Sequence, residues 1–82
     1  MIDKLIEEVK CACHEMRLDE YSAVASPEEI TEVILKEIDG RVKSEVPEEN
    51  ISIFLLSLSK YDRQRFKNFI LKAALYKMAE TT

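Results

Sequence analysis

A cysteine and histidine cluster near the N-terminus carries the residue types best suited to chemistry. Cys11, Cys13 and His14 lie within four residues, and thiolate sulfur and imidazole nitrogen are common zinc ligands. A structural zinc site needs four ligands, whereas this chain has two cysteines, one histidine and no second cluster of these residues. Cys13 also falls on the apolar face of a predicted helix, where it serves as a small hydrophobic residue. We therefore expect no bound metal and no other cofactor.

Catalytic groups are equally hard to assemble from these residues. Cys11 and His14 have the residue types of a nucleophile and its base, but a helix face supplies no oxyanion donors and no third residue to orient the histidine. Adjacent carboxylates occur at helix starts or on polar faces, which is their ordinary structural use. The pairs are Glu7-Glu8, Asp19-Glu20, Glu28-Glu29 and Glu48-Glu49. With a single glycine there is no phosphate-binding loop, so we expect a protein that is not an enzyme.

Nucleic-acid binding by the start of the last predicted helix is the strongest functional alternative. The segment from Glu48 into this helix has the form of a helix-turn-helix motif, and side chains of the types that contact bases and phosphates follow the turn. They are Arg63, Gln64, Arg65, Lys67 and Asn68. The turn lacks the frequent glycine, and the formal net charge of −4 opposes binding to a polyanion. A nucleic-acid-binding regulator remains the alternative function.

Charge is divided unevenly along the chain. Residues 1–50 contain 14 Asp and Glu against 6 Lys and Arg, a net charge of −8, whereas residues 51–82 contain 2 against 6, a net charge of +4. The two parts attract each other, either within one chain or between chains. Two binding mechanisms fit this division of charge. In one mechanism the acidic first part of a dimer faces a basic partner. In the other, the basic border of the last helix contacts a protein or nucleic acid.

Hydrophobic spacing and capping residues predict helices at about 2–17, 27–45, 48–57 and 60–78, with 79–82 as a frayed tail. The second helix has the clearest start, Ser26-Pro27-Glu28-Glu29, with a serine cap, a proline at the first helical position and a glutamate at the third. We expect this helix to continue through Gly40 and the last helix to be capped by Ser59.

Apolar residues mark the faces of these helices. In the first, a narrow stripe contains Ile2, Leu5, Ile6, Val9, Ala12, Cys13 and Met16. In the second, a ridge contains Ile30, Ile34, Leu35, Ile38, Val42 and Val46. In the third, one face contains Ile51, Phe54, Leu55 and Leu58, and another contains Ile53 and Leu56.

The last helix is apolar on two roughly opposite sides. One side contains Phe66, Phe69, Ile70, Ala73 and Tyr76, and the other contains Leu71, Ala74, Leu75 and Met78. A chain of 82 residues has little material to cover both sides. We therefore expect a homo-oligomer, most simply a two-fold dimer, in which Leu71, Ala74, Leu75 and Met78 contact a partner or a second copy.

These observations predict one all-α domain spanning residues 1–82, either a small three- or four-helix bundle or an interlocked helical dimer. No run approaches the roughly 20 apolar residues of a membrane span, and the N-terminus is too acidic for a secretory signal. We expect a cytoplasmic protein with reduced cysteines and no membrane partner. Its predicted function is that of a small non-catalytic regulatory, adaptor or inhibitor protein that binds a protein partner through helix faces.

Overall fold

The computed structural model describes residues 2–20, 25–41 and 47–80, with the backbone alone for residues 19 and 37–41. Its helices are α1 (Ile2–Glu15), α2 (Pro27–Arg41), α3 (Glu48–Tyr61) and α4 (Arg63–Glu80), and a 3₁₀ turn at Leu18–Glu20 follows α1. There is no strand in these three ranges. The predicted all-α fold is therefore confirmed.

The four helices form a bundle in which each helix contacts the other three. The closest neighbours are α2 with α4, α1 with α2, α3 with α4 and α1 with α3, so the pairs α1/α4 and α2/α3 lie across the diagonals. A cluster of apolar side chains fills the space between them. The largest of its fully buried members are Phe66, Leu5, Ile30, Leu55 and Ile70.

Helix α1 packs through the apolar stripe that its sequence predicts. The most buried members of that stripe are Leu5, Val9, Ala12 and Cys13. The helix ends at Glu15, two residues earlier than expected, because Arg17 adopts a left-handed conformation with φ of 58°. The Arg17 backbone N–H donates to the His14 carbonyl at 3.0 Å, a hydrogen bond typical of helix C-terminal caps.

Helix α2 begins with the capping arrangement expected from its sequence. The Ser26 hydroxyl oxygen accepts the Glu29 backbone N–H at 3.3 Å and lies 3.1 Å from the Glu29 carboxylate, to which it donates. Gly40 lies inside the helix, as predicted. The expected end near residue 45 and the ridge positions Val42 and Val46 lie outside the described residues, as does the side chain of Ile38. The ridge residues before them, Ile30, Ile34 and Leu35, are buried.

The junction between α3 and α4 differs from the predicted one. Helix α3 does not stop at residue 57 but continues to Tyr61, and Asp62 alone separates it from α4. Ser59 does not cap α4, because its hydroxyl donates to the Leu56 carbonyl of its own helix at 2.7 Å. Asp62 is the cap instead, since its carboxylate accepts the Arg65 backbone N–H at 3.3 Å. Helix α4 then runs to Glu80, past the expected end at residue 78.

Candidate interaction surface

Large apolar side chains remain exposed on α3 and α4. In the described part of the chain, every exposed large hydrophobic residue belongs to one of these two adjacent helices. They are Ile53, Phe54 and Tyr61 on α3 and Leu71, Leu75 and Tyr76 on α4. We call these six residues the α3–α4 apolar face. Single exposed apolar residues are common, but their restriction to two neighbouring helices is typical of a binding surface.

The structure divides the four residues predicted to contact a partner. Leu71 and Leu75 are exposed, at 40% and 55% of their maximal area, and lie one helical turn apart. Ala74, in contrast, is fully buried in the core of the chain itself and is not part of the exposed surface. Met78 is half-buried at the edge. The cause is a small rotation of α4, which places Ala74 beside Ile70 on the inner side.

The contribution of α3 to this face was only partly predicted. Ile53 was expected away from the main apolar face, and it is 49% exposed. Phe54 was expected to point inward with Leu55 and Leu58, yet it is 43% exposed, and Ser52 occupies the inner side in its place. The run of apolar residues in α3 is nearly continuous, so its spacing alone cannot fix the rotation of the helix about its axis.

The basic side chains at the start of α4 are largely bound by α1. The Arg63 guanidinium donates to the Glu15 carboxylate at 2.6 Å and to the Glu8 carboxylate at 3.2 Å. The Lys67 ammonium lies 2.9 Å from Glu15. Part of the predicted attraction between the acidic and basic parts of the chain is therefore satisfied within one molecule. Two cations of the candidate nucleic-acid surface are partly neutralised as a result.

These contacts change the acidity of the groups involved. Hydrogen bonds from Arg63 and Lys67 lower the pKa of Glu15 from its usual 4.5 to about 2. The hydrogen bond to Glu15 in turn raises the pKa of Arg63 above its usual value, against the opposing effect of partial burial. Glu15 and Arg63 are therefore both charged at neutral pH.

The other candidate nucleic-acid residues lie on the outer side of α4. Gln64 donates to the Asn68 side-chain oxygen at 3.1 Å, and both residues are exposed. Arg65 is also exposed, as is Lys72 two turns later, and neither forms an ion pair with another described residue. The single residue Asp62 replaces the three- to four-residue turn of a DNA-binding helix-turn-helix motif.

The cysteine and histidine cluster is spread around α1. Cys11 is exposed and Cys13 is buried, so their sulfur atoms face different environments. His14 is exposed next to the end of the helix. Among the described residues, no three side chains of histidine, cysteine, aspartate or glutamate are grouped so that they could hold a metal ion.

Grooves between the helices are open to solvent and mix charged with aliphatic side chains. One lies between α2 and α4 and is lined by Val33, Lys36, Tyr76, Lys77 and Glu80. Another lies between α1 and α3 and is lined by Lys4, Glu8, Leu56, Ser59 and Lys60. Neither lining contains a histidine or cysteine that could pair with its carboxylates in catalysis.

Comparison with known proteins adds no assignment to this surface. No protein-family model, curated protein or solved structure matches the chain. None of the helices in the described ranges has the length and apolar character needed to cross a lipid bilayer.

Proposed function

We propose that this protein is a small non-catalytic regulatory or adaptor protein that acts by binding a macromolecule through the faces of its helices. The observation that supports this function is the α3–α4 apolar face. Six large apolar side chains are exposed on two adjacent helices, and Tyr61 keeps 78% of its area in contact with solvent. Covering such a surface releases water from apolar groups, which favours association.

The polar residues around this face also suit a protein partner. Leu71 and Leu75 follow Gln64, Arg65 and Asn68 on the exposed side of α4, so hydrogen-bonding groups precede the apolar groups on the same helix. Protein interfaces have this composition, with an apolar centre and a polar rim. A phosphate backbone offers no apolar group to Leu71 or Leu75, so their exposure favours a protein over a nucleic acid.

A photo-crosslinking amino acid placed at Leu75 tests this function in the cells that produce the protein. We expect discrete protein adducts from position 75, either to another chain or to a second copy of this one. The same amino acid at Glu28, which is exposed at the start of α2, serves as the control and should give far fewer adducts. Absence of adducts from position 75, or equal labelling from both positions, would contradict the proposal.

Nucleic-acid regulation is the second candidate, because Gln64, Arg65 and Asn68 remain exposed at the start of α4. A gel shift at low salt with random-sequence duplex DNA separates the two functions. We expect weak or no binding. Tight binding that falls steeply with added salt, and that Arg65→Ala weakens, would support the helix-turn-helix alternative instead.

A further inference from the structure

We draw no further inference here: the strongest candidate, the patch of exposed apolar side chains on the outer side of α3 and α4, carries nothing beyond the proposed function because nothing in the structure shows what covers it.

Discussion

Arg63 in the first turn of α4 binds Glu15 in the last turn of α1 through two hydrogen bonds, at 2.6 and 3.3 Å. The pair joins residues that are 48 positions apart, on helices that lie across a diagonal of the bundle. Each residue is at the end of its helix that the dipole disfavours, because a cation is unfavourable at an N-terminus and an anion at a C-terminus. Bringing the two ends together offsets both unfavourable positions.

The Glu15 ion pair should make the stability of the protein depend on pH in the acid range. The pKa of Glu15 in the folded protein, about 2, lies below its usual value of 4.5. The ion pair therefore contributes its full stabilisation above about pH 5, and this stabilisation is lost as the pH falls through about 2. We expect Glu15→Gln to lower the urea midpoint at pH 7 and to match the wild type only below about pH 2. Glu7→Gln, an exposed carboxylate of the same helix, is the control and should change the pH 7 midpoint little. A constant difference between wild type and Glu15→Gln at all pH values would contradict the prediction.

The cap of α4 gives a direct comparison between the sequence-based expectation and the structure. Asp62→Ala removes the side-chain acceptor of the first turn, and we expect it to lower the free energy of unfolding by about 1 kcal/mol. Ser59→Ala should cost less than about 0.5 kcal/mol, because the serine hydroxyl only bonds a carbonyl already held in the helix. Urea denaturation measures both, and Asp62→Asn is the control that keeps an acceptor. A larger loss for Ser59→Ala would mean that α4 begins where the sequence alone suggests.

The sequence correctly predicted those features of the fold that depend on interactions between residues close together in the chain. The Ser26 cap, the helical path through Gly40 and the apolar stripe of α1 all depend on neighbouring residues, and the structure confirms each of them. The cap of α4 was assigned to Ser59 instead of Asp62 because both are polar residues of the types that begin helices, and they lie only three positions apart. The hydrogen bond of the Ser59 hydroxyl to Leu56 distinguishes them, and it is not visible in the sequence.

The candidate surface was harder to predict because it depends on how each helix is rotated in the bundle. The sequence identified α4 and the exposed residues Leu71 and Leu75, but not the burial of Ala74 or the exposure of Phe54. The sequence also suggested Arg63 as a contact for nucleic acid, although its side chain binds Glu8 and Glu15 of α1. Arginine at a helix N-terminus and glutamate at a C-terminus are each locally unfavourable, which is the signal that could have indicated a tertiary partner for both.

Ser52 should be a site where a smaller side chain stabilises the protein. Its hydroxyl lies in the core, fully shielded from solvent, and has no hydrogen-bond partner among the described residues. A buried hydroxyl without a partner keeps its desolvation cost, so we expect Ser52→Ala to raise the free energy of unfolding by about 1 kcal/mol or more. Ser57→Ala on the exposed side of α3 controls for helix propensity and should gain only about 0.5 kcal/mol. Equal gains in chemical denaturation would show that burial of the Ser52 hydroxyl costs nothing.

Arg17 offers a test of the backbone at the end of α1. Its φ of 58° lies in the left-handed region, where the Cβ atom of any residue other than glycine crowds the following carbonyl. Arg17→Gly removes that crowding, but it also gives the unfolded chain more conformational freedom, which is the smaller effect. We therefore expect Arg17→Gly to raise the free energy of unfolding by about 0.5–1 kcal/mol. Arg17→Ala keeps the Cβ atom while removing the same charge, so it should give no gain. Thermal and urea denaturation of both variants measure the difference, and an equal response to glycine and alanine would mean that the left-handed conformation carries no strain.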